Sequence, residues 1–259
     1  MLTISTLGRF CISNREKHLT EENLRSSKGL KLLIYIILYR DTDLSNKDIA
    51  QAIWQGEDID NPVGALKNLV YRLRKRLNEF LGENDYIITK KGAYAWNPEI
   101  DVELDVEIFE GLIDEGKKEP IVEKAIEIYE KAVRLYQGEF MAKIMDLQWV
   151  TTRSTYYSSM YLLTVKALAE LYIQKKEYEH LEKLCNEALR YESADEQLFC
   201  YQIEARMRSG KTALALETYE KAREIIEEKL GLRKTAILSK VYEELLALDK
   251  GQANEKTVL

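Results

Sequence analysis

The sequence predicts a mainly α-helical chain with a small β component, mixed in its N-terminal part and all helical in its C-terminal part. Three observations carry this reading. Short β-prone runs open the chain and recur near residue 90, with three helical patterns between them. Beyond about residue 101 the pattern becomes almost wholly helical, and Pro120 is the only proline after Pro98. An internal repeat of 34 residues then appears within that second part.

Taken in order, Leu2, Ile4 and Leu7, followed by Phe10 and Ile12, read as short strands, with Gly8 and Ser13-Asn14 as turn signals. Ser26 to Arg40 reads as a buried helix with Ser27 as its cap. "LSNKDIAQAIWQ" reads as a second helix. Ser45 is its N-cap, Asp48 lies in its first turn, and Ile49, Ala52 and Ile53 share a face. After the polar loop "GEDIDNP", a third helix begins with Asn61 as N-cap and Pro62 at the first helical position. "YIIT" and "AYAW", joined by Lys90-Lys91-Gly92, carry a hairpin signature, and Pro98 closes the unit. A first domain is therefore expected over 1–98.

The second domain is expected over 99–249. "EYEHLEKLCNEALRYESAD" and "KTALALETYEKAREIIEEK" align with a shift of 34, placing Tyr178 over Thr212, Leu181 over Ala215, Cys185 over Tyr219 and Ala188 over Ala222. "VEKAIEIYEKAVRLY" shares the pattern at Ala125, Tyr129 and Ala132, outside that register. Small residues at this period let paired helices approach closely, which is the signature of tetratricopeptide repeats. Residues 250–259 read as a frayed tail.

Charge is divided unevenly. The chain carries −6 overall, yet residues 1–100 sum to +2 and residues 101–259 to −8. Within the third helix, Lys67 to Arg76 holds five basic residues and no acid. With Leu73 at the centre of one face, Leu66, Leu69, Val70, Leu77 and Phe80 fall beside it. Gly64, Asn68, Tyr71 and Lys75 point the opposite way, and Lys67, Arg72 and Arg74 lie on the flanks. A solvated basic face is the bland reading. The context favours another. Two helices, a basic third helix and a hairpin tipped with Lys90 and Lys91 compose a winged helix-turn-helix, whose third helix enters the major groove and whose hairpin can touch the neighbouring backbone or minor groove. On that reading Lys67, Arg72, Arg74, Arg76, Lys90 and Lys91 contact phosphates. Asn68, Tyr71 and Lys75 are the candidates for reading bases, with Gly64 allowing close approach.

The first 98 residues resemble the DNA-binding domain of response regulators of the OmpR type, in the leading strands, the "LSNKDIAQAIW" helix, the "LVYRLRKRL" ending and the wing. The wing keeps only Gly92 and Tyr94 of the usual Gly-Gly-Gly-Tyr. The continuation "IDVELDVEIF" and the helical repeats look like the bacterial transcriptional activator domain. Together they resemble the Streptomyces antibiotic regulatory protein (SARP) family over nearly the whole chain. That resemblance implies binding to direct repeats near promoters, recruitment of RNA polymerase, and activation. It implies no nucleotide switch, since the ATPase extension of larger members is lacking.

Other features are weaker. "RSGKT" ends like a phosphate-binding loop, but Ala205 stands where that loop needs glycine, and an inter-helix turn explains it. Trp149, Arg153, Tyr157 and Tyr161 follow helical spacing, with Tyr156 beside them. They read as packing or, alternatively, as a pocket for an anionic planar effector on the concave face of the repeats. Cys11, Cys185 and Cys200, with His18 and His180, lack metal-site spacing and read as incidental thiols and histidines. The longest apolar run, "LLIYIILY", is far short of a membrane span. The expectation is a cytoplasmic transcriptional regulator, not an enzyme, without cofactor or metal. Its expected partners are double-stranded DNA, RNA polymerase, and a second copy in solution or in tandem on DNA, with a small-molecule effector as a further candidate. The competing reading is a helical-repeat adaptor whose winged domain does not bind DNA.

Overall fold

The computed structural model describes residues 1–14, 16–231, 236–243 and 245. The chain is mainly helical and forms two compact units. Residues 1–111 with 134–158 make the first, and residues 112–133 with those from 159 onward make the second.

The first unit opens with a four-stranded sheet. β1 (Leu2–Ser5), β2 (Cys11–Ser13), β3 (His18–Thr20) and β6 (Val102–Leu104) lie in the order β3-β2-β1-β6. Alternation sets the register: Leu2, Ile4, Ile12, Leu19 and Leu104 are buried on one face. β1 pairs antiparallel with β2 and parallel with β6, Leu2 opposite Val102 and Ile4 opposite Leu104. β6 lies in a stretch expected to be helical, and its pairing carries the first unit past the expected boundary at residue 98.

A one-turn helix α1 (Glu21–Leu24) leads into α2 (Ser27–Leu38). Its cap is Ser26, whose side chain accepts from the Gly29 amide; Ser27, expected as the cap, is the first helical residue. α3 (Asn46–Ile53) starts on a capping box between Ser45 and Asp48. α4 (Pro62–Leu81) follows, and β4 (Ile87–Lys90) pairs with β5 (Ala93–Trp96) as a separate hairpin. The core between these helices is aliphatic: Leu32, Leu33, Ile36, Ile37, Ile49, Ile53, Leu66, Val70, Leu73 and Leu77 are almost wholly buried.

α5 (Asp105–Lys118) begins at a buried carboxylate. Asp105 accepts hydrogen bonds from the Thr6 amide (2.5 Å), the Thr6 hydroxyl (2.6 Å), the Leu7 amide (2.8 Å) and the Val106 amide (2.9 Å). Residues 134–158 join the same unit. The Gly8 amide donates to Glu139 and the Met141 amide to Thr6, and Leu7 bridges to Phe140. Gly8 has φ +101, and a Cβ there would stand 2.8 Å from the Gln137 carbonyl oxygen.

The second unit is helical, drawing on α6 (Val122–Leu135), α7 (Gln148–Lys175), α8 (Tyr178–Ala188), α9 (Glu196–Arg208) and α10 (Thr212–Leu230). α8 and α10 start at the two residues related by the 34-residue shift, Tyr178 and Thr212. The small and apolar repeat positions Leu181, Cys185, Ala188, Ala215 and Ala222 are buried, as are Ala125, Tyr129 and Ala132. "RSGKT" makes the turn between α9 and α10: Gly210 has φ +73, and Lys211 pairs with Glu182 at 2.8 Å. The expected tail over 250–259 lies outside the described residues. Among the described residues no helix is long and apolar enough to cross a membrane.

Candidate nucleic-acid interface

α4 is organised by its two faces. Asn61 caps it by accepting from the Gly64 amide at 2.9 Å, and Pro62 supplies a first-turn residue that has no amide proton to satisfy. Leu66, Leu69, Val70, Leu73, Leu77 and Leu81 are buried. Phe80, expected among them, is only half-buried, and Leu81 takes the last core position instead. Lys67, Asn68, Tyr71, Arg72 and Lys75 are exposed, Tyr71 by 71 %. The acid-free segment therefore presents cations, an amide and a phenol on the face opposite the core. Gly64 serves the cap: a Cβ there would stand 2.7 Å from the Asn61 side-chain nitrogen.

The remaining two arginines are half-buried and engaged. Arg74 donates from Nε to the Ile87 carbonyl at 2.8 Å, and its guanidinium lies 5.7 Å from the centre of the Tyr94 ring. It joins α4 to both strands of the hairpin. Arg76 pairs with Glu79 at 2.8 Å, three residues on.

The hairpin turns on Lys91 and Gly92, with φ +50 and +83, the positive pair that a two-residue type I′ turn demands. Asn46, the first residue of α3, clamps it: the side chain donates to Gly92 O at 2.9 Å and accepts from the Tyr94 amide at 3.0 Å. Lys91 meets Asp43 at 2.6 Å, and that lysine holds the Asp43 carboxyl below its ordinary value. Lys90 and Lys91 are both exposed, so the tip stays cationic. Sequence spacing found the hairpin but not Asn46 or Asp43, because their partners lie more than forty residues away.

The aromatic series on α7 is not an open ligand face. Tyr157 and Tyr161 are 2 % and 1 % exposed, which leaves their rings inside packing. In the first unit, Trp149 donates to Ala52 O at 3.3 Å and meets Tyr35 edge-on, Arg153 lies over Tyr39, and Tyr157 packs on Phe140. In the second unit, Tyr161 meets Tyr191 edge-on at 5.7 Å.

Comparison with known proteins places residues 104–246 in the bacterial transcriptional activator domain. The chain is 24 % identical over 234 residues to the transcriptional regulator RedD of Streptomyces coelicolor, covering 87 % of this chain and 66 % of that one. Its fold is similar to that of Mycobacterium tuberculosis EmbR, solved in complex with a low-affinity phosphopeptide. The TM-score is 0.69 at 18 % identity, covering 95 % of this chain and 65 % of EmbR. The chain thus spans just under two thirds of the length of each of these two proteins.

Proposed function

The chain belongs to the bacterial transcriptional activator domain family, and from that premise we propose that it is a SARP-type regulator that binds specific duplex DNA through α4 and the β4–β5 wing. One observation carries the reading: from residue 62 to residue 78 the exposed face of α4 is cationic and acid-free, Glu79 following only in the last turn, while the opposite face fills the core. Lys67, Arg72, Lys90 and Lys91 supply phosphate contacts, and Asn68, Tyr71 and Lys75 meet base edges. Arg74 and Arg76 support the same surface, Arg74 by fixing the wing to α4. The residues from 99 onward form the activator part. It contacts RNA polymerase, and two copies occupy direct repeats near a promoter.

The test is fluorescence anisotropy of labelled promoter duplexes from the protein's own locus, titrated across salt. A sequence-specific complex whose affinity falls steeply with salt is the expected result, since displaced counterions drive binding. No complex with any duplex at low salt would defeat this reading and leave a protein-binding adaptor.

A further inference from the structure

Beside the reading face of α4 lies a cavity of about 420 Å³, floored by Leu24, Leu69 and Leu73 and walled by Arg25, Arg72, Lys75 and Arg76. Its one acid, Glu79, is already engaged by Arg76 at 2.8 Å. With Arg76 and Glu79 cancelling, Arg25, Arg72 and Lys75 leave a net positive concavity, and the leucine floor limits how well water screens it. Arg25 brings its charge there from the other side of the cavity. It sits between α1 and α2 with φ +50, directly before the cap of α2, so the positive end of that helix adds to the same field. Among the described residues no ion pair engages Arg25, Arg72 or Lys75. Guanidinium forks match phosphate oxygens in pairs, and an aliphatic floor suits the carbons of a sugar.

We infer that this cavity is a phosphate site for a sugar–phosphate group, with Arg25 as a ligand that no other part of the interface uses. The inference rests on the DNA-binding reading for its favoured occupant, a backbone phosphodiester flanking the bases that α4 reads. Arg72 and Lys75 belong to both surfaces, which makes the cavity continuous with the reading face.

The experiment uses the full chain and Arg25→Asn, because asparagine tolerates positive φ and keeps the turn. Thermal melting confirms that the variant is folded. The first arm measures the salt slope on promoter duplex, where loss of one phosphate contact lowers it by about 0.9. The second titrates inorganic pyrophosphate and deoxyribose 5-phosphate, following the Arg25–Gly29 amides by NMR. A lower slope, with equal weakening on cognate and random duplex, assigns the cavity to the DNA backbone. An unchanged slope, with saturable shifts in the wild type that Arg25→Asn abolishes, assigns it to a soluble phosphorylated ligand. No change in either arm overturns the site. If the wild type binds no duplex, the regulator reading fails, and the second arm alone decides the cavity.

Discussion

Arg72 and Arg74 stand two residues apart on α4 yet meet different surroundings. Arg72 is exposed, whereas Arg74 bonds the Ile87 carbonyl and lies over Tyr94. Arg74→Ala should therefore destabilise the fold by roughly 1–2 kcal/mol, the scale of a charged donor's hydrogen bond in a part-exposed site. Arg72→Ala should leave the melting temperature unchanged and lower the salt slope of duplex binding by about one unit. Paired thermal melts and anisotropy titrations separate the two; equal melting temperatures would remove the wing-fixing role of Arg74. Asn68→Ala should cost about 1–3 kcal/mol on the cognate site and much less on random duplex. Equal loss on both would make Asn68 a phosphate neighbour and not a base reader. Helical projection of the sequence placed Lys67, Asn68, Tyr71, Arg72 and Lys75 away from the core, and all five are exposed. It could not separate Arg72 from Arg74, because only tertiary folding brings Ile87 to one of them.

Among the elements, the junction of β1, β6 and α5 holds two positions that tolerate little. Burial raises the Asp105 carboxyl above its ordinary value of 3.8, against four hydrogen bonds that lower it. The folded chain therefore binds that proton more tightly than the unfolded one. The contribution of Asp105 is greatest below the ordinary value and is lost as pH rises through the raised one. Asp105→Asn places an amide group where the carboxylate meets four donors, at a cost of about 1–3 kcal/mol. In urea melts the wild type's advantage should be larger near about pH 4 than near about pH 7. The opposite trend would mean that the donors outweigh burial. Gly8→Ala meets the Gln137 carbonyl and an unfavourable φ together, and should cost more than about 1 kcal/mol in the same melts. The helices here were legible because caps and periodicity are local: Ser45 with Asp48, Asn61 with Pro62, and the 34-residue shift from Tyr178 to Thr212. β6 was not legible. Three residues, "VEL", carry one alternation, and their strand identity comes from Leu2 and Ile4 a hundred positions earlier.

For the molecule as a whole, the charge division sets how DNA can be held. The first hundred residues carry +2 and the rest −8, so the acidic part repels the polyanion that the basic helix attracts. In the proposed tandem arrangement, two copies on adjacent half-sites would offset that weakness, and the half-sites would face the same side of the duplex. Inserting about five base pairs between them should abolish cooperative binding in footprinting, and inserting about ten should restore it. Indifference to spacing would mean that copies bind singly. The mixed first part and the helical second part were legible from the change of pattern near residue 101 and the 34-residue repeat, whereas the assignment of residues 134–158 to the first unit was not, since it depends on close approaches such as Gly8 to Gln137. The parallel pairing of β1 with β6 also bears on how the chain is made. At about 5–20 residues per second, a ribosome delivers Val102–Leu104 some ~5–20 s after Leu2–Ser5. α2, α3 and α4 emerge in that interval, while one edge of β1 waits unpaired and Thr6 lacks its carboxylate. Order of synthesis thus becomes order of assembly, and the interval before residue 105 appears is when a nascent chain most needs shelter from its neighbours.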